Sequence, residues 1–115
     1  MTKILIGEDD EQFRFIYEEL LTREGYEITF AGDGLEALDK LKAQTFDLII
    51  TDIKMPRMDG LTFIAELQRS DFYREIPFLV CSSDVVAHEK GFRFVSKTDM
   101  ASKLVSEIEK IFRNE

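Results

Sequence analysis

The sequence predicts an α/β domain built on a doubly wound parallel sheet, and three observations support this prediction. Along the 115 residues, short apolar runs alternate with segments whose apolar residues recur at helical spacing. One run, Leu48-Ile49-Ile50, has no polar interruption, which is typical of a strand buried on both faces. Two runs end in acidic residues, at Glu8 and at Asp52, and open α/β sheets bind ligands at the carboxyl ends of their strands.

Five apolar runs predict five strands, each bounded by residues that favour turns. The predicted strands are Ile4–Ile6, Tyr26–Phe30, Leu48–Ile50, Phe78–Cys81 and Phe92–Val95. Because helices separate the strands and crossovers are right-handed, we expect a flavodoxin-like order, 2-1-3-4-5, with helices on both faces of the sheet.

Four helices are predicted from apolar residues that recur three or four positions apart. Their apolar residues are, in chain order, Phe13, Ile16, Tyr17, Leu20 and Leu21; Leu35, Leu38 and Leu41; Leu61, Ile64 and Leu67; and Leu104, Val105, Ile108, Ile111 and Phe112. Asp33 is predicted to cap the second helix, Gly60 to open the third, and the last to span Met100–Phe112. A further helix between strands four and five is expected to be short or missing, because residues 84–90 hold one or two turns at most.

Composition limits the classes of function. A chain with 44% hydrophobic and 33% charged residues is typical of a globular domain, and we expect residues 1–115 to form one, with no attached output domain. The formal charge of −8 argues against binding nucleic acid or an anionic membrane, since both need basic patches. A single cysteine, the lack of a signal-like leader and the lack of a membrane-spanning run predict a cytoplasmic location.

Five polar side chains are expected at one rim of the sheet, because each lies at the end of a predicted strand. They are Glu8, Asp9, Asp52, Ser82 and Lys97. Neighbouring carboxylates repel each other unless a cation lies among them, and oxygen ligands open to water suit Mg²⁺. A cation, an ammonium and a hydroxyl around one carboxylate provide the charge neutralisation that phosphoryl transfer needs. Asp52 is the predicted nucleophile, which attacks phosphorus to form an acyl phosphate.

These features resemble the receiver domain of two-component response regulators over the whole chain. The most specific motif lies at residues 52–60, DIKMPRMDG, directly after a hydrophobic strand. Residues 3–6, residues 31–38 and Pro77 before the fourth strand also match that family's pattern. The resemblance implies a signalling domain that catalyses only its own phosphorylation and dephosphorylation.

The resemblance also implies roles for individual residues. Asp52 is the phosphoacceptor, and the donor is the phosphohistidine of a sensor histidine kinase or of a histidine phosphotransfer protein. Asp52 and Asp9 are implied as direct Mg²⁺ ligands. Glu8 acts mainly through bound water, and Lys54 contributes its backbone carbonyl to the metal.

Two further roles concern the response to phosphorylation. The resemblance implies that Ser82 and Lys97 grip the phosphoryl oxygens, and that Phe94 takes the place of the family's switch aromatic. Ser82 is then drawn toward the phosphoryl group, and the neighbouring loop and aromatic rearrange with it. We therefore expect phosphorylation to change non-covalent contacts with a downstream protein, whose identity the sequence does not give.

The chain departs from the family pattern at four points. Glu8 stands where aspartate is commoner, and Ser82 replaces the more frequent threonine. Thr98 replaces the proline that usually follows the lysine, so we expect no cis peptide bond there. Only 14 residues separate Ser82 from Lys97, about two helical turns (~7 residues) fewer than usual, and the missing part falls in the fourth helix.

Lys54 and Asp84 stand two residues after Asp52 and Ser82, at positions that flank the path of the attacking water in this family. We predict an ion pair between Lys54 and Asp84 that partly covers this path. An exposed pair contributes only ~0–1 kcal/mol, so the expected slowing of hydrolysis is modest.

Two alternatives remain open at this point. The first is a pseudo-receiver that works as a protein docking module without phosphorylation. The second is a Mg²⁺-dependent phosphatase that forms an aspartyl phosphate. The phosphatase is disfavoured because Lys54, rather than a second aspartate, stands two residues after Asp52.

Overall fold

Five strands and five α-helices alternate along the part of the chain that the structure describes. The computed structural model describes residues 1–84 and 86–115, and within the fourth helix it leaves the side chains of Ala87 and His88 undescribed. The elements are β1 Lys3–Gly7, α1 Glu11–Thr22, β2 Glu27–Ala31, α2 Gly34–Ala43, β3 Leu48–Thr51, α3 Gly60–Arg69, β4 Phe78–Ser82, α4 Val86–Glu89, β5 Phe94–Ser96 and α5 Met100–Phe112. A 3₁₀ turn at Lys97–Asp99 joins β5 to α5.

The strands form one parallel sheet in the order β2-β1-β3-β4-β5, which confirms the predicted topology. The register sets which strand ends are neighbours. Gly7 of β1 is paired with Thr51 of β3, so the residues that follow them, Glu8 and Asp52, lie side by side. Ser82 of β4 is paired with Ser96 of β5, which brings Lys97 to the same edge of the sheet.

The sheet is buried on both faces because alternate strand residues point to opposite sides. Ile4 and Ile6 of β1 face the layer of α1 and α5, where they pack with Leu104 and Ile108. Leu5 of β1 points the other way, into the layer of α2 and α3. The continuous apolar character of the strands, most clearly of Leu48–Ile50, therefore reflects two helical layers rather than one.

The ends of three helices are set by aspartates that accept hydrogen bonds from the first turn. Asp33 accepts from the N–H of Glu36 (2.9 Å), which confirms the predicted cap of α2. Asp59 caps α3 by accepting from the N–H of Thr62 (2.8 Å), and α3 begins at Gly60 as expected. Asp10 caps α1. Of these helices, α1 and α2 start three or four residues after the strand that precedes them, whereas α3 starts nine residues after the end of β3.

All five strands differ from the predicted bounds by one or two residues, and two of them, β2 and β5, start later than predicted. β2 begins at Glu27, one residue later than predicted. β5 runs from Phe94 to Ser96, because Phe92 lies before the strand and packs edge-on against Phe78, with ring centroids 5.4 Å apart. The pairing of Val80 with Phe94 then sets the start of β5.

Two apolar side chains predicted to face inward are largely exposed. Leu35 is 41% exposed, because α2 turns Gly34, Ala37 and Leu41 toward the core instead. Phe112 is 40% exposed at the end of α5, where its ring lies 6.2 Å from the ring of Tyr26.

The fourth helix is a single turn of four residues, in agreement with the prediction of a short or missing helix. The peptide bond between Lys97 and Thr98 is trans, as expected from the replacement of proline. Among the described helices, none combines the length and the apolar character needed to cross a lipid bilayer.

Candidate functional site

The centre of the candidate site is an ammonium group held between two buried carboxylates. Lys97 Nζ lies 2.5 Å from Asp52 Oδ2 and 2.8 Å from Glu8 Oε1. The Lys97 and Asp52 side chains are 8% and 9% exposed, and the Glu8 side chain is fully buried. Charges removed from water in this way are costly unless they are paired, so the Lys97 ammonium lowers the cost of burying both carboxylates.

Lys97, Asp52 and Glu8 form a buried trio of charged groups, and burial and proximity determine its electrostatics. Burial raises the pKa of Glu8 above its ordinary value, although contacts with Lys97 and with the N–H of Asp10 act in the opposite direction. Burial acts to lower the pKa of Lys97, but the contacts of its ammonium with the Asp52 and Glu8 carboxylates outweigh this effect and raise that pKa. Lys97 is therefore cationic at neutral pH.

Backbone groups fix both carboxylates in place. The N–H of Ile53 donates to Asp52 Oδ1 (2.6 Å), so each carboxylate oxygen of Asp52 has a partner. The N–H of Asp10 donates to Glu8 Oε2 (3.1 Å). Glu8 Oε1 is buried and its short contact with Lys97 lacks hydrogen-bond geometry, so this oxygen has acceptor capacity to spare.

A cavity of about 490 Å³ opens beside Asp52, lined also by Lys54, Ser82, Ser83 and Asp84. Ser82 is buried, and its Oγ accepts a hydrogen bond from the N–H of Asp84 (3.0 Å). Because the hydroxyl accepts in this contact, its proton remains available to a group bound in the cavity. The cavity therefore offers the carboxylate of Asp52, the hydroxyl of Ser82 and the ammonium of Lys54 to one ligand.

Asp9 is exposed and lies apart from the trio. It lines a neighbouring depression, also of about 490 Å³, together with Lys54, Met55 and Asp59. Across the described part of the chain, no three carboxylate, thiol or imidazole groups are gathered into a ready-made metal site. The structure thus brings Glu8 and Asp52 together on Lys97 but does not add Asp9 to that cluster.

The oxygen atoms along this edge nevertheless suit Mg²⁺. This ion keeps several waters and uses one or two protein carboxylates, so it does not need a closed protein cage. Lys54 lines both depressions, the one with Asp52 and the one with Asp9. The spare acceptor capacity of Glu8 Oε1 and the excess of carboxylates over ammonium groups both favour a bound cation.

The predicted ion pair between Lys54 and Asp84 is not formed. Both residues are described and line the same cavity, but no contact between their charged groups falls within 4.0 Å. Asp84 Oδ1 instead accepts from the N–H of Val86 (3.0 Å), at the start of α4. The carboxylate is drawn away from Lys54 because it satisfies the first turn of that helix.

The loop between β3 and α3 is tied to the start of α2. Arg57 Nε donates to Asp33 Oδ2 (2.8 Å), and the N–H of Gly34 donates to the carbonyl of Met58 (2.8 Å). Arg57 has a φ of 60°, which is uncommon for a residue other than glycine. The sequence motif predicted a loop here but did not indicate the Arg57–Asp33 hydrogen bond, because the two residues are 24 positions apart in the sequence.

Phe94, the predicted switch aromatic, is half-buried in β5. It packs against a small apolar cluster formed by Ile53, Ile64 and Val80 on the α3 side of the sheet. Since Ile53 directly follows Asp52, this cluster links the candidate phosphoacceptor to the edge strand. The role of Phe94 as a switch stays a prediction.

Two further residues at the site were not predicted to contribute to it. The ring centroid of Phe13 lies 4.0 Å from Lys97 Nζ, and Arg14 Nε donates to the carbonyl of Glu8 (2.6 Å). Both residues lie near the start of α1, one turn after the acidic cluster. That spacing could have indicated both residues, but Phe13 also fits the apolar stripe of α1, and that pattern predicts a core residue.

The sequence is similar to that of a known family of signalling domains over most of its length. The model of the response regulator receiver domain family matches residues 4–109. The response regulator receiver protein CpdR of Brucella abortus is 31% identical over 116 residues, covering 96% of this chain and 97% of that protein. A protein-glutamate methylesterase/protein-glutamine glutaminase of Anaeromyxobacter dehalogenans is 40% identical over 80 residues, or 70% of this chain. The matched region is only 22% of the length of that enzyme.

Solved structures show the same fold. The response regulator TrrA of Thermotoga maritima, in complex with Mg²⁺-BeF, is 28% identical with a TM-score of 0.85, covering 96% of this chain and 98% of that one. The chemotaxis protein CheY4 of Vibrio cholerae is 27% identical with a TM-score of 0.86, at the same coverage of the two chains.

Proposed function

This chain belongs to the response regulator receiver domain family of two-component signalling, and we propose that it accepts a phosphoryl group on Asp52 in a Mg²⁺-dependent reaction. The observation that carries the proposal is the position of Lys97 Nζ, 2.5 Å from Oδ2 of Asp52, a residue that also lines a cavity together with Ser82. An ammonium and a hydroxyl beside one carboxylate can neutralise a phosphoryl group attached to it.

The proposed roles of the chain's own residues follow from their contacts. Asp52 attacks phosphorus through a carboxylate oxygen and becomes an acyl phosphate, while the phosphorus–oxygen or phosphorus–nitrogen bond to the donor breaks. Lys97 and Ser82 bind the phosphoryl oxygens. Asp9, Asp52 and the backbone carbonyl of Lys54 hold the metal, with Glu8 acting through water. The ion supplies charge neutralisation between the carboxylates and the phosphoryl group.

The proposed donor is the phosphohistidine of a sensor histidine kinase or of a histidine phosphotransfer protein in the cytoplasm. The output is a change in contacts with a downstream protein, transmitted through Ser82 and Phe94. In support, Ser82 Oγ accepts from the N–H of Asp84, so a movement of the hydroxyl toward a phosphoryl group would release the start of the β4–α4 loop. The acidic surface makes nucleic acid and anionic membranes poor partners.

We expect incubation with acetyl phosphate and Mg²⁺ to add one phosphoryl group to the wild-type chain. Intact mass spectrometry measures the gain, and omission of Mg²⁺ should reduce it strongly. Asp52→Asn is the matched variant, because it keeps the size of the side chain and loses the nucleophile. An equal gain in Asp52→Asn would place the modification elsewhere. No gain in the wild type, from acetyl phosphate or from phosphorylated kinases, would favour the docking-module alternative.

A beryllium fluoride titration gives an independent prediction. The Thermotoga maritima relative was solved in complex with Mg²⁺-BeF, which mimics an acyl phosphate. With Mg²⁺ present, we expect the amide signals of Asp52, Ser82 and Lys97 to shift in ¹H–¹⁵N spectra, and Asp52→Asn to abolish these shifts. Signals of the opposite sheet edge, near Thr22 and Gly25, provide the internal control. Shifts confined to those distant residues would contradict binding at Asp52.

A further inference from the structure

An aromatic ring completes the surroundings of the Lys97 ammonium. Nζ contacts Asp52 Oδ2 at 2.5 Å and Glu8 Oε1 at 2.8 Å, and the centroid of the Phe13 ring lies 4.0 Å away. A cation over the face of an aromatic ring is attracted by the ring's negative π cloud, and the attraction grows when water is excluded. The Lys97 side chain is 8% exposed, so this contact is largely shielded from solvent.

The position of the ring is fixed by the start of α1. Asp10 caps the helix by accepting from the N–H groups of Gln12 (2.8 Å) and Phe13 (3.4 Å). The next residue, Arg14, donates to the carbonyl of Glu8 (2.6 Å). The half-buried ring also packs against the core on the α1 side of the sheet. The backbone that carries Phe13 is therefore attached to the same acidic segment that holds Lys97.

We propose that Phe13 is a positioning residue for phosphorylation, whose ring directs the Lys97 ammonium toward Asp52. The inference rests on the proposed function, since it concerns the same site. A third carboxylate could also hold the ammonium, but it would occupy a hydrogen of Nζ and compete with the phosphoryl oxygens. A ring attracts the charge without a strong hydrogen bond, so the ammonium stays in place and remains free to donate to the phosphoryl group.

The contact itself can be tested without any reaction. Protons above the face of an aromatic ring are shifted upfield by the ring current. In NMR spectra of the unphosphorylated protein, we expect upfield-shifted Hε signals for Lys97, retained in Phe13→Tyr and lost in Phe13→Leu and Phe13→Met. Phe15→Leu is the matched control, because Phe15 lies on the same helix and is 63% exposed. Unshifted Lys97 signals in the wild type would overturn the proposal.

The kinetic test separates positioning from general stability. With acetyl phosphate and saturating Mg²⁺, we expect Phe13→Leu and Phe13→Met to lower the maximal rate about three- to tenfold, as loss of a shielded cation–π contact predicts. The acetyl phosphate concentration at half-maximal rate should change less than about twofold, because the ring does not contact the donor. Phe13→Tyr should restore the rate, and Phe15→Leu should leave it unchanged.

The outcomes distinguish this inference from the proposed function. If the wild type takes up no phosphoryl group on Asp52, the proposed function fails and the positioning role fails with it. If the wild type is phosphorylated and the ringless Phe13 variants react at the same maximal rate, only the positioning role is overturned. Loss of rate in Phe13→Tyr to the level of Phe13→Leu would also overturn it, since the ring is retained.

Discussion

Replacement of Lys97 by methionine is expected to lower the free energy of unfolding by about 3–5 kcal/mol at neutral pH, because it leaves two buried carboxylates without their cation. Lys97 Nζ is the shared partner of Asp52 and Glu8, and the Glu8 side chain is fully buried. Methionine has nearly the same length, so the loss comes from charge rather than from a cavity. Urea denaturation followed by circular dichroism measures the change, and a domain of this size can lose half its stability in this way.

The cost of Lys97→Met should depend on pH with a definite sign. Burial raises the pKa of Glu8 in the folded protein, and its contacts with Lys97 limit that rise. Without Lys97 the pKa of Glu8 rises further. A group whose pKa is raised by folding adds stability at pH values below its unfolded pKa and loses it as the pH rises through its folded pKa. The free energy of unfolding that Lys97→Met loses relative to the wild type should therefore be small near pH 4 and increase toward neutral pH.

Lys103→Met is the matched control for this prediction. Lys103 Nζ lies 3.7 Å from Asp99 Oδ2, and the two side chains are 63% and 44% exposed. Such an exposed ion pair contributes at most about 1 kcal/mol to the free energy of unfolding. The control should change stability little at any pH. An equal effect of the two variants, or a Lys97→Met deficit that does not grow with pH, would show that Lys97 does not compensate buried charge.

The fold could be predicted from the sequence because its main signals are local. Leu48–Ile50 and Ile4–Ile6 are uninterrupted apolar runs, and a strand buried on both faces requires such runs. Asp33 could be assigned as a helix cap because a cap bonds only to the next three residues. The error at Leu35 has a different origin. The buried face of α2 depends on the contact of Gly34 with Met58, a residue of another loop. A local sequence pattern carries no information about this contact.

The site shows the same division between local and long-range information. Strand ends placed Glu8, Asp52, Ser82 and Lys97 at one edge, and the register of the sheet confirms their approach. Periodicity alone could not show that Lys97 would lie between two carboxylates, because α/β topology fixes strand ends but not side-chain rotamers. The unformed pair of Lys54 with Asp84 illustrates this limit, since a nearby N–H was available to the Asp84 carboxylate.

Gly60→Ala should have the second large effect, on both stability and phosphorylation. The first residue of α3 packs so closely on Asp52 that an added Cβ would overlap the backbone carbonyl oxygen of that residue. The N–H of Gly60 also donates to the carbonyl of Ile53 (2.7 Å), which prevents the helix from moving away freely. We expect a loss of about 3 kcal/mol or more in the free energy of unfolding, measured by urea denaturation. Because relief of the overlap must displace Asp52, the initial rate of phosphorylation by acetyl phosphate should fall at least about tenfold.

Gly25→Ala separates this steric overlap from the general cost of replacing glycine. Gly25 has a φ of +84° and no atom within 4 Å of an added Cβ, so its replacement costs about 1–2 kcal/mol for the left-handed backbone alone. It lies far from the proposed phosphorylation site and should leave the rate of phosphorylation unchanged. Alanine is also a better helix former than glycine by up to about 1 kcal/mol, which would stabilise α3 if the overlap were absent. A Gly60→Ala variant as stable as the wild type would therefore mean that α3 does not press on the Asp52 carbonyl, and that Asp52 is held by its hydrogen bonds alone.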